Sequence, residues 1–390
     1  MIAIWLGPVG MGLLGQFMSL STIISVFAGG GIATGITKYT AEYRNNTHKL
    51  TKFLGAAASY GLLFSGFLFL ISIFGAEKIS MLLFGEATYS WLVPCLGIAH
   101  FFCFVGAGVV AVINGHQLSN LFARLTISSY LPVIPISYFL ISNYQLEGAI
   151  ISLLLAISCT GLLGLVLVFR SRLTRLVRLN ISNVYIGRLA KYSLMMIASA
   201  TIFPLAEIVI RTEIISDIGQ QAAGLWQAMT RLSGAYMGFF TVFLATNYMP
   251  KLSALFDGKL IVREVEKNLI HVGILFFIFS ILIYQFRFLV IDLLFTKEFY
   301  DMDLLFGWQL LGDFFRISSY VIGFLSIAKS RVVIYVIAEC IQSILYVSLS
   351  MLYLKEGAEI SSVAKSYALA YFLYFCSAYF VFVAYKKRVS

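Results

Sequence analysis

The chain has 390 residues, of which 60% are hydrophobic and 12% charged, with a formal net charge of +10. Its mean hydropathy is +0.91. Soluble globular domains carry about 25% charged residues, so this composition excludes a soluble enzyme and a disordered chain and points to an all-α polytopic membrane protein.

The first ten residues, MIAIWLGPVG, read as the tail of an earlier helix followed by a Gly-Pro-Val-Gly turn. Apolar runs then predict eleven spans, at about 11–36, 53–75, 91–113, 122–142, 148–169, 192–212, 224–248, 269–286, 304–328, 332–354 and 361–385. The first basic residue is Lys38, so no basic leader region precedes an apolar segment, and a cleaved signal peptide is not expected. The five cysteines, Cys95, Cys103, Cys159, Cys340 and Cys376, fall in apolar runs without metal-ligand spacing and read as small core residues.

Charge alternates between successive loops. One set of loops holds 20 basic residues and the other holds 4. The basic set marks the cytoplasmic side and includes Lys386-Lys387-Arg388 at the C-terminus. Eleven spans then place Met1 outside. The expectation is that the chain begins one helix late, and that a twelfth helix upstream would give two halves of six with both ends inside. The longest basic loop divides the chain into an N-terminal lobe (1–169), a connecting loop (170–191), a C-terminal lobe (192–385) and a basic tail (386–390). A faint echo relates Gly12–Leu20 to Gly224–Leu232, 212 residues later, as expected of transporter repeats.

Seven ionisable residues fall inside predicted spans: Glu207, Arg211, Arg231, Asp313, Arg316, Glu339 and Lys365. Each costs about 2.5–3.5 kcal/mol at a helix centre, so each needs a wet cavity or a partner. Glu207 and Arg211 stand at i, i+4 and Asp313 and Arg316 at i, i+3, spacings that allow pairing on one face. They read either as structural pairs or as a lining for an anionic substrate. Arg231, Arg316, Arg211, Lys365 and Lys38 are the candidate contacts for a diphosphate or an acidic sugar, because guanidinium forks match phosphate oxygens. Lys365 also reads as a residue that snorkels from its helix end. Asp313, Glu207 and Glu339 are the candidate counter-ions or coupling sites.

Trp226-Gln227 and Trp308-Gln309 each open a span that carries an Arg further along. Together with Tyr236 and Tyr320 they are candidates for sugar contact, with an interfacial aromatic belt as the competing reading. Pro94, Pro132, Pro135 and Pro204 fall in predicted helices, as hinges or static kinks. Neither a GxxxxGK[ST] loop nor HExxH is present, and the four histidines are scattered. No cofactor or metal is expected, and the excess of basic residues reads as loop topology rather than nucleic-acid binding.

Four segments in order, Gly29–Tyr39, Gly224–Gln227, Trp308–Asp313 and Ile327–Lys329, carry a family likeness. The chain resembles the Wzx flippases of bacterial surface polysaccharide synthesis, within the multidrug/oligosaccharidyl-lipid/polysaccharide exporter superfamily, and especially the branch of the lipid III flippases. The resemblance implies a MATE-like fold and an undecaprenyl-diphosphate-linked oligosaccharide, here an O-antigen unit, moved from the cytoplasmic to the periplasmic leaflet of the inner membrane by alternating access. It also implies membrane lipid, a polysaccharide polymerase and a chain-length regulator as partners, and a monomer. The competing readings are a lipid III flippase, a cation-coupled multidrug exporter, an O-antigen polymerase and a passive scaffold. Embedded basic residues argue against a drug/cation antiporter. The short outer loops argue against an enzyme.

Overall fold

The computed structural model describes residues 2–170, 179–180, 183–329, 331–357 and 359–389. Every regular element among them is helical. In chain order these are α1 (Ile2–Ser25), α2 (Gly31–Tyr43), α3 (Thr47–Phe74), α4 (Ala76–Phe84), α5 (Leu92–Gly115), α6 (Ser119–Tyr130), α7 (Val133–Arg170), α8 (Asn183–Asp217), α9 (Gln220–Phe243), α10 (Met249–Ala254), α11 (Gly258–Gln285), α12 (Arg287–Leu294), α13 (Asp303–Ala328), α14 (Val332–Glu356) and α15 (Ile360–Val389).

Eight of the described segments are long and apolar enough to cross a membrane. One of them, Asn120–Arg170, has 51 residues and is two passes joined at Gln145 (φ 44°, ψ −117°). The pass before this kink is itself interrupted by a turn at 131–132, between α6 and α7. At 1.5 Å per residue, α8 and α9 are also long enough to span. In α9, Gln227 and Arg231 lower the mean hydropathy, whereas α8 holds a long apolar run, 193–210, around the single charge of Glu207. With these counted, the described residues hold the eleven passes that hydropathy predicts. Polar residues in a span are retained where function or a partner requires them.

Several local expectations are corrected. Gly7 takes a positive φ of 62° and breaks α1, with Pro8 opening the helix that follows. Proline is well placed there, since the first turn of a helix has no N–H bond to lose. Pro94 and Pro135 sit in the first turns of α5 and α7, and Pro132 lies in the turn before α7. Only Pro204 is interior, in α8. The glycine run at 29–31 marks a π-helical turn, Val26–Gly30, between α1 and α2. The predicted outer loops 76–90 and 287–303 contain α4 and α12, two short helices that expose Leu82 and Leu293. The predicted connecting loop becomes helical at Asn183, earlier than hydropathy suggested, because the polar first turns of α8 dilute the signal. Residues 171–178 of that loop lie outside the described residues.

The chain divides into two compact units, Met1–Gly15 with Leu205–Ser390, and Gln16–Pro204. In the second unit, α5 packs against α2, α3 and α7. Gly106 of α5 lies so close to Gly161 of α7 that a Cβ would sit 2.8 Å from the Gly161 nitrogen. Small residues at such crossings let backbones approach where no hydrophobic effect drives helices together. In the first unit, α13 is the central helix, flanked by α9, α11, α14 and α15. A core of Met229, Val265, Phe276, Phe306, Ile317 and Val321 fills the space between α9, α11 and α13.

Candidate functional site

The first unit concentrates the embedded charges. On α13, Gln309, Asp313, Arg316 and Tyr320 fall at i, i+4, i+7 and i+11, one face of a helix. Across from it, α9 contributes Ser233 and Tyr236, and α15 contributes Tyr367 and Tyr371.

Asp313 is fully buried and well satisfied. Its Oδ2 accepts from Ser233 Oγ at 2.8 Å and from Tyr236 Oη at 2.5 Å. Its Oδ1 accepts from Tyr367 Oη at 2.7 Å. Gln309 Nε2 approaches both oxygens at 3.4 and 3.5 Å. A buried carboxylate is tolerated only with such donors around it.

Arg316 is half-buried one turn further along. Its Nε donates to Tyr320 Oη at 2.9 Å, and its Nη1 donates to Tyr367 Oη at 3.2 Å. The guanidinium carbon lies 5.5 Å from the Tyr320 ring centroid and 5.4 Å from that of Tyr371, distances at which cation–π attraction operates. Tyr367 therefore relays between the two charges: it donates to the carboxylate and accepts from the guanidinium. Gly312 makes this possible, because a Cβ there would meet the Tyr367 ring.

A second cluster surrounds Arg211 of α8, which is 0% exposed. Its Nη2 donates to Gln227 Oε1, and its guanidinium lies 5.2 Å from the Trp226 ring. Glu207 is half-buried one turn before it and within electrostatic reach of both Arg211 and Arg231. The Trp226 indole donates to Tyr346 Oη at 3.3 Å, and the Tyr346 ring meets that of Tyr367 edge-on at 5.2 Å. The two clusters are thus joined through tyrosines.

The remaining candidates are more dispersed. Glu339 of α14 is half-buried and lines a cavity of about 220 Å³ with Tyr320, Tyr335, Tyr374 and Thr241. Arg231 is exposed and Lys365 half-buried. Lys38 is exposed in the other unit, 5.3 Å from the Tyr39 ring centroid. Of the residues expected to meet sugars, Trp226 (2% exposed), Gln227 and Gln309 are buried among protein side chains, while Trp308 is 42% exposed. Tyr236 holds Asp313 and Tyr320 holds Arg316.

Sequence reasoning missed Tyr367, Tyr371 and Tyr374. Their i, i+4, i+7 spacing is a stripe on one face of α15. It also missed Ser233, which lies one residue beyond the faint repeat. Ser21 precedes Ser233 by the same 212 residues, and its Oγ lies 3.2 Å from His100 Nε2. Ser233 in turn donates to Asp313.

Ionisable residues embedded in membrane helices mark substrate and ion pathways, a feature that transporters share. The fold matches the inward-facing conformation of a multidrug resistance MATE family transporter of the MOP superfamily (TM-score 0.81, 14% identity, 100% of this chain and 94% of that one). It also matches the inward closed conformation of the lipid II flippase MurJ (TM-score 0.79, 16% identity, 97% of this chain and 82% of that one). The polysaccharide biosynthesis protein family matches residues 1–256. The lipid III flippases of Escherichia coli K12 and Shigella flexneri are each 30% identical over 395 residues, covering 100% of this chain and 94% of theirs. The chain belongs to the polysaccharide biosynthesis protein family.

Proposed function

We propose that this protein is a flippase for undecaprenyl-diphosphate-linked oligosaccharide repeat units. It moves them from the cytoplasmic to the periplasmic leaflet of the bacterial inner membrane by alternating access, with its basic C-terminus in the cytoplasm. The observation that carries this reading is the identity to lipid III flippases along the whole chain. The chemistry of the first unit fits it. Arg211, Arg231, Arg316 and Lys365 of the first unit supply positive charge for a diphosphate, and Lys38 is the candidate contact of the second unit taken by itself. Asp313, Glu207 and Glu339 balance that charge, which is otherwise costly to embed. Among the aromatic candidates, Trp308 is the exposed one and so is available to a sugar face.

The repeat unit is an O-antigen unit in this reading. The named relatives favour a second one, the lipid III of enterobacterial common antigen. In either case the protein acts as a monomer, handing its cargo to a polysaccharide polymerase and a chain-length regulator or to the equivalent assembly.

Complementation tests the proposal. The chain is expressed in strains lacking either an O-antigen flippase or the lipid III flippase, and surface polysaccharide is assayed. The expected result is restoration in one of the strains, lost in Arg231→Ala and Arg316→Ala variants that still reach the membrane. Failure in both strains, with the protein present in the membrane and across several repeat-unit chemistries, overturns it.

A further inference from the structure

The cavity beside Glu339 has a chemistry that a diphosphate does not explain. Its polar lining is one carboxylate, three phenols and the hydroxyls of Thr241 and Ser326, with no basic side chain among its described lining residues. Glu339 has Tyr335 as its hydrogen-bonding neighbour one turn earlier on α14. Tyr320 and Tyr374 complete the walls from α13 and α15. The last turns of α13 form another wall through Gly323, Ser326 and Ile327. A helix C-terminus presents the negative end of its dipole.

Charge balance points the same way. Arg316 stands behind Tyr320, to whose hydroxyl it donates, and is linked through Tyr367 to Asp313. One guanidinium thus lies between two carboxylates, Asp313 and Glu339. Within this group of three the carboxylates outnumber the guanidinium, which favours a cation at the Glu339 end, while Arg211, Arg231 and Lys365 place positive charge elsewhere in the unit.

The donor set selects the kind of cation. Calcium takes six to eight oxygen ligands and magnesium a near-ideal octahedron, which one carboxylate and a ring of phenols do not supply. Aromatic faces around a carboxylate are the arrangement that recognises alkylated ammonium groups. A space of about 220 Å³ admits an ammonium bearing a few carbons. We propose that the Glu339 cavity is a binding site for a small organic ammonium ion, a second ligand distinct from the translocated oligosaccharide. The inference stands apart from the flippase reading, since binding is measured without any oligosaccharide.

The test is calorimetric titration of the full chain in lipid nanodiscs with tetramethylammonium chloride, and separately with sodium chloride at matched chloride. Saturable tetramethylammonium binding is expected, weakened about tenfold or more in Glu339→Gln. Tyr374→Phe, which keeps the ring, should bind as the parent does, and Tyr374→Leu should bind several-fold more weakly. Thermal unfolding of each variant checks that the unit is intact; if Glu339→Gln is not folded, the Tyr374 pair decides. Absence of saturable binding overturns the proposal. So does binding indifferent to both positions, or a Glu339-dependent response to sodium equal to that for tetramethylammonium, which would make this an inorganic ion site.

Discussion

Tyr367 reaches from α15 to place its hydroxyl 2.7 Å from Asp313 Oδ1 on α13. The same oxygen accepts from Arg316 Nη1 at 3.2 Å, so a single phenol sets the distance between two opposite charges on the neighbouring helix. Tyr367→Phe keeps the ring but leaves Oδ1 with only the 3.5 Å approach of Gln309. Depriving a buried carboxylate of a donor costs about 1–3 kcal/mol. Thermal unfolding of the purified protein should show that loss, and it should shrink markedly in an Asp313→Asn background. Strictly additive effects in this double-mutant cycle would mean that Tyr367 and Asp313 are not coupled.

Gly312 is the clearance for that contact. A Cβ at this position meets the Tyr367 ring and lies 3.2 Å from the Ala368 Cα. Gly312→Ala must therefore separate α13 and α15 or turn Tyr367 away, at about 1–3 kcal/mol for overpacking. Gly273→Ala in α11 is the control, since nothing lies within 4 Å of its would-be Cβ. There alanine should be neutral or stabilising by about 0.5–1 kcal/mol through helix propensity. Unfolding midpoints of the two variants should move in opposite directions or differ clearly in size.

The α13 half of this arrangement was legible in the sequence. Charges inside an apolar run announce themselves, and the Asp313–Arg316 spacing places them on one face. The α15 half was not. Tyrosine is so common at membrane interfaces that Tyr367, Tyr371 and Tyr374 are absorbed into the aromatic background unless their spacing is counted. The burial of Trp226 was also hidden. Its ring faces Arg211 from a neighbouring helix, a tertiary contact that no local pattern encodes. One proline misled for a simpler reason. Pro94 already stood near the start of the predicted span 91–113, which α5 matches, whereas Pro135 looked interior to the span 122–142 because the turn at 131–132 was not foreseen.

Gln145 holds a positive φ of 44° where the two passes of α7 meet. A side chain in that region carries strain of about 1–3 kcal/mol, and glycine avoids it at an entropic cost of about 0.5–1 kcal/mol. Gln145→Gly should therefore raise the unfolding midpoint modestly. Gln145→Val, branched at Cβ, should lower it and reduce the yield of membrane-inserted protein. A stabilising valine would show that the turn does not hold this conformation.

Arg316 and Arg231 separate a shaped role from a charge-only role. Arg316 uses Nε toward Tyr320 and Nη1 toward Tyr367 at once, a fixed fork that one ammonium cannot reproduce. Arg231 is exposed on α9, where a flexible cation can serve a phosphate nearly as well. Arg316→Lys should thus lower surface polysaccharide in the complementation assay by about tenfold or more, the equivalent of one charge-assisted hydrogen bond. Arg231→Lys should stay within about threefold of the parent, because lysine still supplies a point charge to phosphate. The two arginines differ in geometry while sharing charge, so equal losses in both lysine variants would assign them the same role and remove the Tyr320–Arg316–Tyr367 fork from the mechanism.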